Sequence, residues 1–362
     1  MTQMKTIRWG ISGTGAIARR FADDIRHAGN ATLTAVCARD GQKARDFASG
    51  HAGVSAFDSL ISMISAGLID AVYIATPNAV HHAQALDCIA AGIPVLVEKP
   101  LTANLRQALE IQTAAGRAGV FVMEAMWSRN LPAIRAARKA VLGGAIGKVR
   151  RLEADIAWKV EFDPESRFFD KSRGGGALHD IGIYPVSLAR FFLGEPDSVT
   201  ASWRAAPSGA DVSAAITMRF GDAEANLWCG FDRDGSNRLI IEGDKGVLVL
   251  GPLFIMADGF AVYPSRRLAD LAQPGGNSLA ARIRRRLFRS LPLAGTSRHR
   301  HRFEGSGLQF EIEAASDAIS QGLRQVPDNS LADTIAALRI IDAILASPPV
   351  ADRVALKNAS EA

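Results

Sequence analysis

The chain is poor in cysteine, has no long apolar run and carries little excess charge outside one segment. No run approaches the ~20 apolar residues of a membrane helix, so a helical membrane protein is not expected. Three cysteines (Cys37, Cys88 and Cys229), odd in number and far apart, argue against a disulfide framework and for reduced thiols in a cytoplasmic setting. Residues 1–6 run straight into a strand-like segment without the apolar core of a signal peptide, which again points to the cytoplasm. No Cys, His or carboxylate set falls at metal-ligand spacing, so no metal is expected.

What is present suits an ordinary globular protein: 362 residues, 48% apolar and 22% charged, long enough for two domains. The net charge of +5 is local. Residues 264–302 hold ten arginines and one aspartate, +9, which leaves −4 for the remainder. The charge therefore gives no ground for expecting nucleic acid as a partner. Within that segment Leu279, Ile283, Leu287 and Leu291 recur every four residues with arginines between, the pattern of a basic amphipathic helix. Such a helix can lie on an anionic membrane surface or grip an acidic partner. The commoner case, taken as the expectation, is an insertion whose apolar stripe packs on its own domain or a partner subunit.

Residues 6–12 read as a buried strand, and Gly13-Thr14-Gly15-Ala16-Ile17-Ala18 follows at once before a helix over 18–27. Glycine is needed here to turn the chain tightly and to let the backbone approach a pyrophosphate at the helix N-terminus. The second strand, 32–38, ends in Arg39-Asp40. An acidic residue near this place binds the adenosine ribose of NAD, whereas Arg39 suits a 2′-phosphate. NADP is therefore expected over NAD, with Asp40 as the residue that would serve a ribose diol. Strands over 71–76, 95–97 and 120–123 alternate with helices over 81–91 and 103–118, and shorter helices fall at 43–49 and 59–66. This predicts an α/β Rossmann domain, a doubly wound parallel sheet, over 1–125.

Those strands deliver Thr76-Pro77-Asn78, then His81, and Glu98-Lys99-Pro100 to the edge where such sheets bind ligands. His82 is expected to face away. Beyond residue 126 the texture changes to a helix over 131–142, a strand over 149–160, a helix over 177–193 and further strands between 198 and 250, with closing helices at 310–321 and 330–346. This predicts an α+β domain with a largely antiparallel open sheet over 126–350, carrying the basic insertion at about 264–302. Asp180 and Tyr184, four apart after Gly174-Gly175-Gly176, fall on one helix face.

Together the glycine turn, Glu98-Lys99-Pro100, Glu124-Ala125-Met126-Trp127-Ser128-Arg129 and the triple-glycine helix resemble the Gfo/Idh/MocA oxidoreductases. Within them they are most similar to the dimeric dihydrodiol dehydrogenase and NADP-dependent D-xylose dehydrogenase branch. The resemblance covers about residues 5–260 and 305–345. It implies hydride transfer between NADP and a sugar, polyol or dihydrodiol, a homodimer or higher homo-oligomer formed through the open sheet, and a cis Lys99-Pro100 bond. It also implies an active-site Lys99, Asp180 and Tyr184, and a pocket lined by Trp127, Arg129 and Phe168. His179 stands where the branch more often has leucine, as a neighbour of the pocket or as a structural residue. A tyrosine with an ordinary pKa of ~10 needs help to act near neutrality. A lysine cation and the positive nicotinamide both favour its phenolate. The competing reading is a non-catalytic sensor of nucleotide or sugar, against which the intact Lys99, Asp180 and Tyr184 speak.

Overall fold

The structure, a computed structural model, describes residues 5–171 and 174–350. Its first sheet has six parallel strands: β1 (Ile7–Ser12), β2 (Ala31–Cys37), β3 (Ser55–Phe57), β4 (Ala71–Ile74), β5 (Val95–Glu98) and β6 (Val122–Ala125). Their order is β3-β2-β1-β4-β5-β6. The connecting helices are α1 (Ala16–Asp24), α2 (Gly41–Ser49), α3 (Leu60–Ser65), α4 (His81–Ala90) and α5 (Leu105–Ala118). Every residue of β4, β5 and β6 is buried, as a parallel sheet covered on both faces requires. The order reverses between β1 and β4, so a crevice opens past their C-terminal ends. Strand β3 escaped the sequence reading because three residues are too few to show a period.

The second sheet follows α6 (Pro132–Leu142). It contains β7 (Val149–Ala157), β8 (Ser198–Ala205), β9 (Asp211–Phe220), β10 (Ala223–Gly230), β11 (Leu239–Gly243), β12 (Val247–Leu250), β13 (Gly259–Tyr263) and β14 (Ser297–Arg300). The order is β14-β13-β12-β11-β7-β10-β9-β8, antiparallel except for the parallel pair β7–β10. The expected single helix over 177–193 is instead a π-helical turn, Leu178–Gly182, continued by α7 (Ile183–Leu193). Turns of this kind often mark functional positions. Helix α7 packs on β7 and β10 and is buried almost all round.

Four helices complete the chain: α8 (Arg266–Ala272), α9 (Leu279–Ser290), α10 (Gln309–Ser320) and α11 (Leu331–Ala346). Helix α10 returns to the first sheet, where it packs on β1 and β2. Trp9 Nε1 donates to Ser316 Oγ at 3.0 Å. The Asp24 carboxylate accepts from the backbone N–H groups of Ser306 and Leu308 and from the Ser306 hydroxyl at 2.7–3.0 Å. One continuous apolar core therefore joins the two sheets.

The insertion departs from expectation in two ways. On the outward face of the second sheet, Ile240, Val247, Val249, Ala261 and Tyr263 form a small core with Ala269 and Ala272 of α8 and Phe288 of α9. Arg266 fixes α8 there, paired with Glu153 of β7, Glu242 of β11 and Asp270. The chain itself thus covers one part of the open sheet through which the resemblance implies subunit pairing. Secondly, the stripe of α9 does not pack on its own domain. Leu279, Ile283, Leu287 and Leu291 are 71, 59, 59 and 41% exposed. The helix rests on its other side, through buried Ala281 and half-buried Phe288 and Arg285, the last of which donates to the Pro274 and Gly276 carbonyls at 2.8 and 2.7 Å.

Candidate active site

The turn after β1 is built for close approach. Gly13 has φ +113°, and a Cβ there would lie 2.7 Å from the Ala75 carbonyl oxygen, so only glycine lets the ends of β1 and β4 meet. Gly15 caps α1 with open space where a side chain would stand, and Ala16 and Ile17 form the first helical turn. Bare N–H groups at a helix N-terminus, unobstructed, fit the phosphates of a dinucleotide. A cavity of about 380 Å³ opens here, lined by Thr14, Gly15, Arg19, Lys43, Asp46 and Phe47. Sequence reasoning missed Thr14, Arg19 and Lys43. They lie on two separate helices or loops, and only the packing of α1 beside α2 brings them together. Arg39 is exposed at the end of β2. Asp40 is committed in part: its Oδ1 caps α2, accepting from the Gln42 and Lys43 N–H groups at 3.0 and 3.4 Å.

At the next strand end, Thr76 Oγ1 bonds Gln84 at 2.8 Å, and Pro77 leads into a short turn beginning at Asn78. Asn78 Nδ2 donates to the Gly174 carbonyl at 3.2 Å, tying the nucleotide edge to the triple-glycine segment. His81 does not face the crevice. It is buried between two strand ends, with ring nitrogens 2.7 Å from the Thr76 carbonyl and 3.0 Å from that of Pro100, and as a neutral ring it donates to one of them. Burial holds its pKa below the usual value. His82 points away, 2.8 Å from Glu110. Glu98 also turns inwards: one oxygen accepts from the Tyr73 hydroxyl and the other from the Lys99 N–H. Its side chain is therefore taken up within the sheet edge, and a cofactor contact at Glu98 would fall to its backbone.

Lys99 stands at the focus. The Lys99–Pro100 bond is cis. Its Nζ donates to the Asp180 carbonyl at 2.5 Å and to Asp180 Oδ1 at 3.2 Å, and lies 5.1 Å from the Tyr184 ring centroid. The π-helical turn presents both groups of Asp180 to it. Arg167 reaches the same carboxylate at 3.5 Å. Trp127 Nε1 donates to the Tyr184 hydroxyl at 3.0 Å. The N-terminus of this helix is held by Asp211, which accepts from the Leu178 N–H at 2.6 Å. Gly176, φ +132°, leaves room for that carboxylate, since a Cβ would sit 2.0 Å from Asp211 Oδ1.

The electrostatics follow from burial set against charge. Burial disfavours the Lys99 ammonium, but Tyr184, Asp180 and Glu98 outweigh it and raise its pKa. Burial pushes Asp180 up, yet Lys99 and Arg167 hold it below the usual carboxylate range. For Tyr184 burial wins over the Lys99 charge, and the phenol is pushed up to about 12. The lysine acts in the expected direction, towards the phenolate, but in the chain by itself burial outweighs it. In the chain by itself the pair is an ammonium beside a neutral phenol.

Two further candidates are spent on structure. Arg129, 2% exposed, stacks 5.3 Å from the Phe191 ring. It also bonds Ser187 Oγ and O at 2.9 and 3.0 Å and pairs with Asp333 at 3.4 Å. That leaves its donors turned from the pocket. His179 lies on the far side of its turn, 3.9 Å from Asp342 of α11, in the structural role. Phe168 is half-buried, edge-on to Phe231 at 5.1 Å and covered by Arg167 at 4.3 Å.

Behind Lys99 lies a set of buried carboxyls. Burial pushes Glu98 up to about 7 and raises Glu124 as well. Glu311 of α10 has no hydrogen-bond partner on either oxygen among the described residues. Burial and the nearby Glu98, Asp24 and Glu124 hold its pKa well above the usual range. A carboxyl raised in the folded state contributes its stability below its unfolded pKa and loses it as pH rises towards the folded value. Glu311→Leu is therefore expected to stabilise the chain by about 1–3 kcal/mol near neutrality, with a smaller gain in acid. Thermal melts at the two pH values check this; an equal gain at both would contradict it.

The comparisons with known proteins agree with this geometry. Residues 7–126 match the oxidoreductase family with the NAD-binding Rossmann fold, and residues 134–249 match the GFO/IDH/MocA C-terminal domain. The chain is 31% identical over 343 residues to a trans-1,2-dihydrobenzene-1,2-diol dehydrogenase of Xenopus tropicalis, covering 93% of this chain and 97% of that one. Its fold is similar to that of an aldose-aldose oxidoreductase from Caulobacter crescentus complexed with glycerol (TM-score 0.77, 22% identity, 94% and 96% of the two chains). It is likewise similar to a 3-ketoreductase from Actinomadura kijaniata in complex with NADP and TDP-benzene (TM-score 0.78, 21% identity, 95% and 98%). The chain belongs to the Gfo/Idh/MocA oxidoreductases, enzymes that bind a nicotinamide dinucleotide on a Rossmann fold and act on CH–OH groups.

Proposed function

We propose that the protein is an NADP-dependent oxidoreductase acting on a CH–OH carbon of a sugar, polyol or dihydrodiol. Tyr184 moves the proton, Lys99 is its electrostatic partner, and Asp180 orients the lysine. The observation that carries this is the buried Lys99 ammonium held between the Asp180 carboxylate and the Tyr184 ring, with Trp127 fixing the Tyr184 hydroxyl. When bound, the dinucleotide supplies or accepts the hydride. Tyr184, protonated with a pKa of about 12, is ready to donate to a carbonyl oxygen in the reductive direction. In the oxidative direction it must lose its proton, which the Lys99 ammonium favours and a positive nicotinamide would favour further. Lys99 stabilises the developing alkoxide in either direction.

The substrate class rests on the dihydrodiol dehydrogenase relative. Residues 1–125 form the NADP-binding unit and 126–350 the substrate unit in this reading. Pairing as a homodimer would use the second sheet beyond the strands that α8 and α9 cover. The buried free cysteines suit a cytoplasmic location.

Following the absorbance of the reduced nicotinamide with a panel of aldoses, polyols and dihydrodiols, each with NAD and NADP, tests the proposal. Turnover with NADP and at least one panel member is expected. No activity with any member would favour the nucleotide- or sugar-sensing alternative.

NADP preference is supported by Asp40 Oδ1 being taken up in capping, while Arg39 is exposed with Arg19 and Lys43 lining the adjoining cavity. Removing one charge-assisted contact, Arg39→Ala, is expected to raise the Kd for NADP about 10–100-fold. The Kd for NAD should stay nearly unchanged. Equal loss for both cofactors, measured by fluorescence titration, would remove Arg39 from 2′-phosphate recognition.

A further inference from the structure

We infer that helix α9 docks the protein on an anionic lipid bilayer surface. At 3.6 residues per turn, Leu279, Ile283 and Leu287 fall on one stripe. That stripe is turned away from the protein, because Ala281, Arg285 and Phe288 hold the opposite side. Three large aliphatic side chains exposed in one line on a convex helix, with exposed Leu291 just past its end, are not the scattered apolar residues of an ordinary surface.

Arg282, Arg284, Arg286 and Arg289 are all exposed. Arg284 flanks the stripe on one side, and Arg282 and Arg286 on the other. None of these four has an acidic partner among the described residues. Beside the helix a cavity of about 500 Å³ continues the basic surface, with Arg282, Arg286, Arg289, Arg298 and Arg300 on its wall and Asp258 as its only acid.

An in-plane helix needs this arrangement, with aliphatic groups to enter the headgroup boundary and guanidinium groups beside them to meet lipid phosphates. The same charge argues against a second copy as the occupant. An isologous contact through this patch would set arginine against arginine with one aspartate to offset each wall. An acidic peptide in the basic cavity would leave the outward aliphatic stripe of the helix uncovered, whereas a bilayer surface meets both.

The test is co-sedimentation of the full chain with vesicles of phosphatidylcholine containing phosphatidylglycerol, and with vesicles of phosphatidylcholine alone. Binding to the anionic vesicles should exceed that to the neutral ones about tenfold or more and be lost in high salt. Ile283→Asp with Leu287→Asp, and separately Arg282→Glu with Arg286→Glu, should each lower it about tenfold or more. Turnover should be unchanged in both variants, since neither touches the Lys99 site. Light scattering should give the same oligomeric state for wild type and both variants. Absence of binding at low salt, equal binding to both vesicles, or retention of binding in either variant would overturn the inference. So would a change of oligomeric state in the stripe variant, because it would assign α9 to a contact between protein chains.

Discussion

Lys99→Met is expected to lower kcat about 10³-fold, with the fold and dinucleotide affinity kept. Methionine matches the length of the lysine stem and removes the charge from a site otherwise rich in acid. The lost interaction is strong because it acts in a buried place, where preorganised donors aimed at a developing alkoxide are worth about 10²–10³ in rate. A second loss comes through Asp180, whose carboxylate would keep only Arg167, at 3.5 Å, as its cation. Its pKa is then expected to rise. Stopped-flow hydride transfer and dinucleotide titration separate the rate effect from binding. A rate within a few-fold of wild type would mean that the Lys99 ammonium is a structural tie between the two domains and no more.

Tyr184→Phe is expected to cut turnover by about 10²-fold or more, with little change in NADPH affinity. The substitution removes one hydroxyl and leaves the ring under the Lys99 ammonium, so the cation–π contact at 5.1 Å survives. What goes is the proton carrier, together with the partner of Trp127 Nε1. The pH dependence carries a sign. With Tyr184 pushed up to about 12, the donor is protonated throughout the neutral range, and reduction should be nearly flat there. Its loss belongs to pH rising through the tyrosine's pKa, not to pH falling. The phenylalanine variant lacks that alkaline limb.

The sequence made the Rossmann half legible because each strand end there carries a local signal. The glycine turn, Arg39, Thr76-Pro77-Asn78 and Glu98-Lys99-Pro100 are each read within a few residues. The pairing of Lys99 with Asp180, 81 residues away, was legible only through a shared family pattern, since no local rule brings a strand end to a distant helix. His81 and Arg129 misled for the same reason, and His179 stayed open between a pocket and a structural role. Their partners are the Pro100 carbonyl, Asp333 and Asp342, and a polar residue looks available until its distant partner is known. Glu311 carries no local signal, because its burial comes from α10 folding back against β1, a contact of high sequence separation.

Asp40 is a different case. An aspartate directly before Gly41-Gln42-Lys43 is a local capping signal, and it bears on how much of a ribose-binding carboxylate remains. In the insertion the helical period at 279–291 read correctly, but period cannot tell which side of a helix meets the protein. Strand β14, Ser-Arg-His-Arg, shows no strand pattern at all. It forms because β13 offers an open edge, and His299 stacks on Phe260 at 4.4 Å.

The central claim is that Lys99 and Tyr184 act as one unit on one oxygen. A double-mutant cycle on single-turnover hydride transfer, with Lys99→Met, Tyr184→Phe and both together, tests it most directly. Residues acting as a unit are not additive, so the double variant should be slowed about as much as Lys99→Met alone. A double variant slowed by the product of the two single effects, or a Tyr184→Phe enzyme with near-normal hydride transfer, would contradict the claim.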